Sequence, residues 1–217
     1  MKEKRKQIIL IILSLMALIL LLVIGYYWYN NTFFVSTEDA HISGDMVVVS
    51  SQATGKLADL FVDEGSYILK DQIIGKIDII NQIDSNIELS LIRSPINGTV
   101  IKKQGTVGEI IAAGQTILYL ADPKEFYISA NIEETKIKKV QIGQKVNIKL
   151  DLFGGEQFSG KVYTIAKASN STFSLFPSNS GSTFTKVVQK IPVKIKLDNI
   201  DSRFVVGTNA FVKISIK

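Results

Sequence analysis

The 217-residue chain has no cysteine, one histidine, one tryptophan and four prolines. Without cysteine it can form no disulfide, no thiolate metal site and no cysteine nucleophile. The single histidine, His41, excludes a His-rich metal site. It falls near the start of a strand and reads as a half-exposed strand residue. Excess charge is scarce outside the N-terminal tail. The formal net charge is +5, but residues 1–7 hold four Lys/Arg and one Glu, which leaves 21 basic against 19 acidic residues. The pI near 9.2 is thus partly a property of the tail. Nucleic-acid binding needs a basic patch on a folded surface, so no nucleic-acid partner is expected.

What the chain does have is one long apolar run. Lys2, Lys4, Arg5 and Lys6 precede Ile8 to Gly25, interrupted only by Ser14. As helix this run spans roughly 27 Å, close to a bilayer's hydrocarbon core. Tyr26, Tyr27, Trp28 and Tyr29 follow, as in an interfacial aromatic belt. The run is long for a signal peptide and no small-x-small cleavage pattern follows, so it reads as an uncleaved anchor. Basic residues before it predict a cytoplasmic N-terminus, with the C-terminal bulk on the far side of a cell membrane.

Beyond the anchor the chain repeats itself. Ser51–Asp78 and Ser94–Ala121 superpose by a shift of 43 positions with no gap. Ser51 falls on Ser94, Gly55 on Gly98, Gly65 on Gly108, Gln72 on Gln115 and Ile74 on Ile117. Repeats of fixed period mark supersecondary units that bury their apolar faces on one another. Each half reads as short strands punctuated by turn glycines, at Gly55 and Gly65 or at Gly98 and Gly108. Neither half can bury a core alone, so the two are expected to face each other as a β-sandwich. Residues 79–90 connect them and are too few for two antiparallel helices of useful length.

After Asp122-Pro123 the pattern changes. Residues 126–132, 146–150, 157–166, 186–197 and 210–216 read as five strands of a small barrel-like domain. Pro192 argues for an edge or a bulge. Glu133–Lys139 reads as a short helix or turn, acids first and lysines last. The expected division is a cytoplasmic tail 1–7, an anchor 8–29, a tether 30–38, a sandwich 39–121 and a barrel 122–217. The expected fold is therefore mainly β behind a transmembrane helix.

Several of these stretches resemble the HlyD/EmrA-type membrane fusion proteins, the periplasmic adaptor family of bacterial exporters. They are Thr37-Glu38-Asp39-Ala40, the glycine-punctuated halves, Arg93-Ser94-Pro95-Ile96-Asn97-Gly98-Thr99-Val100, residues 122–150, and the late runs 173–177 and 186–193. The halves look like those of a biotinyl/lipoyl-type domain. The resemblance implies a non-enzymatic, anchored adaptor subunit of an efflux system. Its implied partner is an inner-membrane transporter, of the major facilitator or the ABC type, in moving drugs, lipids or peptides outward. It also implies homo-oligomers. Members that dock on an outer-membrane duct carry a long helical hairpin between the lipoyl halves. Here only the short connector stands there, so duct contact is not expected. Biotinyl and lipoyl carriers present a modified Lys between the halves, and this chain has none between Lys76 and Lys102. A stand-alone anchored binding or scaffold module is the other reading.

No catalytic, cofactor or metal constellation stands out. Asp78, Asp84 and Glu88 lie close in sequence, but a solvated loop accounts for them. The candidate partner contacts are Phe173, Leu175, Phe176 and Phe184, apolar side chains in a stretch rich in Ser, Thr and Asn. Such residues mark contact surfaces, or they fold back to cap the barrel; the sequence leaves both open.

Overall fold

A computed structural model of the chain describes residues 2–79, 87–154, 156–169, 188–201 and 203–216. The chain divides into two compact units. One comprises residues 1–41, 128–199 and 209–217, the other 42–127 and 200–208.

In the first unit, α1 (Lys2–Phe33) carries the apolar run and β1 (Phe34–Ser43) follows it directly. The remaining strands are β10 (Tyr127–Glu133), β11 (Lys145–Leu150), β12 (Gln157–Ile165), β13 (Lys190–Leu197) and β14 (Asn209–Ser215). They close into a six-stranded barrel in the order β1-β10-β13-β12-β11-β14. The five strands expected after residue 122 are present. The sixth comes from before the repeat. Of the stretch read as a tether, residues 30–33 end α1 and 34–38 begin barrel strand β1, which also takes the first residues assigned to the sandwich and pairs with β14 from Phe34↔Ser215 to His41↔Asn209. A register shift between Thr37 and Ala40 explains why its alternation was hidden. Val35 is buried before the bulge, and Ala40 and Ile42 after it, so the inward positions change from odd to even. Closure leaves no edge, so Pro192 does not mark one. It precedes Val193, the last described partner of β12, and its carbonyl accepts from Ala166 N. Between β10 and β11, α3 (Glu134–Ile137) fills the place expected for a short helix.

The second unit contains β2 (Met46–Ser50), β3 (Gly55–Leu60), β4 (Tyr67–Ile68), β5 (Ile73–Ile79), β6 (Leu91–Arg93), β7 (Gly98–Lys103), β8 (Ile110–Ile111) and β9 (Thr116–Ala121). A single helical turn, α2 (Ile87–Ser90), precedes β6. Two four-stranded sheets form, β2-β9-β7-β4 and β6-β5-β3-β8. The halves do more than face each other. Each donates its short strand to the other's sheet, β4 to β7 and β8 to β3. The 43-residue shift is obeyed pair by pair: Lys56↔Asp78 and Leu57↔Ile77 in one half match Thr99↔Ala121 and Val100↔Leu120 in the other. The core follows the same rule. Val49, Leu57, Ile68, Ile74 and Ile77 are buried with their equivalents Ile92, Val100, Ile111, Ile117 and Leu120.

The four turn glycines do two different jobs. Gly65 (φ +85°) and Gly108 (φ +94°) adopt the left-handed conformation, which a Cβ disfavours. Gly55 and Gly98 do not. They lie where a neighbouring strand passes close: a Cβ on Gly98 would sit 2.7 Å from the Ala121 carbonyl oxygen, and one on Gly55 would meet that of Asp78.

Candidate functional surfaces

Where α1 meets the barrel, the contacts are specific. Ile216 N donates to the Phe33 carbonyl at 2.9 Å. Lys139 Nζ donates to the Asn31 carbonyl at 3.1 Å, and Lys213 Nζ to Asn30 Oδ1 at 2.9 Å. The Lys213 ammonium also lies 4.0 Å from the centre of the Phe34 ring, within cation–π range. The last turn of the helix is thus gripped by Lys139, just beyond α3, by Lys213 of β14 and by Ile216, the residue after β14. Within Leu10–Phe33 the most apolar 18-residue window has a mean hydropathy of 2.7, and none of that window is buried in the protein. By length and composition the segment can cross a membrane.

Thr37 and Asp39, quoted above for the family resemblance, hold the β1 bulge. Thr37 Oγ1 donates to the Asn131 carbonyl at 3.0 Å and accepts from Asp39 N at 3.1 Å. Asp39 accepts from Lys190 Nζ at 2.7 Å and from Asn131 Nδ2 at 2.9 Å. The hydrogen bond from Lys190 holds the Asp39 carboxyl below its ordinary range, and Asp39 in turn raises Lys190. The arrangement ties β1, β10 and β13 together. A carboxylate already bonded to two donors is placed for structure, not for proton transfer.

The sandwich repeats its backbone but not its outer faces. At the centre of sheet β6-β5-β3-β8, Lys56 stands opposite Asp78 and Asp59 opposite Lys76, two cross-strand pairs of opposite charge. At the equivalent places in sheet β2-β9-β7-β4, Thr99 stands opposite Ala121 and Lys102 opposite Tyr119. Beside them Met46 and Val48 of β2 and Tyr67 of β4 are exposed. The centre of one outer face is therefore charged, while that of the other holds Thr99, Ala121, Tyr119 and a single charge, Lys102. The repeat keeps apolar residues at the equivalents of Val48 and Tyr67, namely Leu91 and the exposed Ile110. What differs is the centre of each sheet, so the face carrying Met46, Val48 and Tyr67 is the less charged of the two and a contact candidate.

The remaining predicted residues separate. Asp78 pairs with Lys76 at 3.8 Å and Glu88 with Arg93 at 3.4 Å, while Asp84 lies outside the described residues. His41 is half-buried in β1. Phe173, Leu175, Phe176 and Phe184 all lie outside the described residues. No group of three or more His, Asp or Glu side chains suited to a metal ion occurs among the described residues. Sequence reading missed the outer-face asymmetry, although aligning Lys76 and Asp78 with Tyr119 and Ala121 shows it.

Comparison with known proteins agrees with this geometry. Residues 45–122 match the model of the YhbJ barrel-sandwich hybrid domain, and residues 125–215 that of the AAEA-like beta-barrel domain. YhbJ of Bacillus subtilis (strain 168), whose given name places it provisionally in an efflux system, is 37% identical over 185 residues, 85% of this chain and 80% of that protein. The multidrug export protein EmrA of Haemophilus influenzae is 33% identical over 150 residues, 67% of this chain but only 38% of EmrA. The solved structure of the periplasmic adaptor protein EmrA superposes with a TM-score of 0.58 at 16% identity, covering 84% of this chain and 98% of that one. At that identity the likeness concerns the fold. The sequence match to YhbJ carries the kinship: this chain belongs to the EmrA/YhbJ-type membrane fusion protein family, in a short form whose sandwich halves are joined by residues 80–90 and not by a helical hairpin.

Proposed function

We propose that this chain is a membrane-anchored, non-enzymatic adaptor that helps an inner-membrane transporter pass drugs, lipids or peptides outward. The observation that carries this is the direct junction of an apolar, membrane-length helix to a closed barrel that matches the AAEA-like beta-barrel domain. In this reading residues 1–7 lie in the cytoplasm, α1 spans the membrane, and the two β units lie outside. The transporter is of the major facilitator or the ABC type. With residues 80–90 in place of a hairpin, the adaptor does not reach an outer-membrane duct. It acts as a homo-oligomer, and the face carrying Met46, Val48 and Tyr67 is the surface we assign to contact between copies, because its centre lacks the two cross-strand charge pairs of the other sheet. Phe173, Leu175, Phe176 and Phe184 are proposed as transporter contacts.

The test is a mild-detergent purification of the full-length chain from its native membrane, with co-purifying proteins identified by mass spectrometry. A polytopic transporter is expected, and replacing the four apolar residues at 173, 175, 176 and 184 by Ser is expected to release it. Recovery of no polytopic protein, even after cross-linking, overturns the adaptor reading in favour of a stand-alone anchored binding module.

A further inference from the structure

The junction between α1 and the barrel encloses a cleft of about 640 Å³. Its floor is apolar, from Val23, Ile24, Tyr27 and Trp28 on the helix, and its upper wall carries Lys136 and Lys139. Because β1 begins at the residue after α1 ends, these lysines are held beside Asn30 and Asn31, within a turn of the aromatic belt. That is the level of the phosphates in a bilayer crossed by this helix. The cleft thus has the polarity of an amphiphile, with apolar wall toward the hydrocarbon and ammonium groups at headgroup height. The nearby acids do not cancel the charge. Glu133 pairs with Lys136 at 2.9 Å and Glu134 opens α3, but Lys138 caps the end of α3 and Lys213 stands on β14.

We infer that this cleft binds an anionic phospholipid from the leaflet that surrounds the barrel end of the anchor, with an acyl chain along Val23–Trp28 and the phosphate on Lys136 and Lys139. An anionic lipid is selected over a zwitterionic one because the latter's own ammonium offsets the attraction of its phosphate to the lysines, whereas the anionic lipid keeps the whole of it. The inference rests on the anchor reading, and the test separates the two.

Trp28 is the only tryptophan of the chain and it lines the cleft, so it reports occupancy directly. Full-length protein is reconstituted into phosphatidylcholine vesicles containing a constant minor fraction of lipid with brominated acyl chains, either phosphatidylglycerol or phosphatidylcholine. Each lysine near an anionic lipid enriches it roughly fivefold, so brominated phosphatidylglycerol is expected to quench Trp28 at least about twofold more than brominated phosphatidylcholine. Lys136→Gln with Lys139→Gln abolishes the difference, and Lys136→Arg with Lys139→Arg keeps it. Circular dichroism on each variant checks that the barrel is intact. Equal quenching by the two lipids in the native chain overturns the lipid site while leaving the anchor standing. A difference that survives the Gln pair, or is lost in the Arg pair, also overturns it. Quenching by neither lipid overturns the anchor and the site together. A change in Trp28 emission on adding inorganic phosphate to neutral vesicles, equal to that caused by phosphatidylglycerol, assigns the cleft to a soluble anion and overturns the lipid.

Discussion

Asp71 occupies, with φ +64°, the position that Gly114 occupies in the other half with φ +84°. Their amides do the same work, Asp71 N donating to the Ser94 carbonyl and Gly114 N to that of Ser51, both at 2.8 Å. Asp71 is the only described non-glycine residue with positive φ. The strand swap demands the left-handed turn in both halves, and one half has kept a side chain there. Asp71→Gly is therefore expected to raise stability by a few tenths to about 1 kcal/mol. Gly114→Ala is expected to lower it by about 1 kcal/mol or more. Chemical unfolding of both variants checks the pair; equal effects of the same sign would show that the turn is not strained.

The turn glycines divide by mechanism, so their substitutions respond differently. Gly98→Ala forces a Cβ against the Ala121 carbonyl and is expected to cost about 1–3 kcal/mol, as overpacking does. Gly65→Ala meets nothing within 4 Å and bears only the cost of its φ. Gly65→Asn is then expected to recover much of the loss at 65, since Asn tolerates that region, while Gly98→Asn recovers nothing. Thermal unfolding of the four variants decides it.

Ser51 and Ser94 are the buried polar residues among those described, at 3% and 1% exposure. The hydroxyl of Ser94 donates to the Ile96 carbonyl at 2.6 Å, and that of Ser51 to the Ala53 carbonyl. Ser94→Ala leaves a carbonyl without its donor and is expected to cost about 1–2 kcal/mol. Ser51→Ala should match it within error. A double variant whose loss equals the sum would show that the two turns, though symmetric, fail independently.

Asp39 and Lys190 give the barrel a defined pH response. The folded carboxyl titrates below its ordinary value of 3.8, so its stabilising contribution is present above pH 3.8 and is lost as pH falls through the lower folded value. Lys190 titrates above 10.5, so its share is present below that pH and is lost as pH rises through the folded value. Lys190→Met is expected to move the Asp39 midpoint upward in a carboxyl-resolved NMR titration. It should also reduce stability at neutral pH, with the difference shrinking as Asp39 protonates. An unmoved midpoint would remove Lys190 as the cause.

The sandwich faces offer an internally controlled test of oligomer contact. Val48→Lys places a charge on the less charged face, and Leu91→Lys places one at the equivalent apolar position of the sheet whose centre is already charged. Cross-linking in native membranes is expected to lose oligomers for Val48→Lys alone. Equal loss, or none, would remove this face from the contact.

Much of this was legible in the residues. The apolar run, the 43-residue repeat and the barrel strands after residue 122 are periodic signals, and each became an element of the expected kind. Three things were not legible, for physical reasons. The exchange of β4 and β8 between sheets concerns which strands pair, and strands of two residues carry no periodicity to say so. The assignment of Phe34–Ser43 to the barrel was masked by its bulge, which breaks the alternation that sequence reading relies on. The two roles of the four glycines differ only in what passes beside them, which no local pattern records. Of the surfaces, the Thr37–Asp39 stretch was seen as a resemblance, and its structural role became clear only with Asn131 and Lys190 beside it.

The pairing Phe34↔Ser215 has a consequence for how the molecule is born. The strand that follows α1 gains its β14 neighbour only when residues 209–215 have been made, long after its other neighbour, β10. Such non-local pairings are slow and leave strand edges exposed meanwhile. Until then β1 has one flank open, and the barrel closes only when β14 is in place. Losing Asn209–Ser215 would leave β1 and β11 both unzipped, so a short C-terminal truncation should be far less tolerated than its few residues suggest.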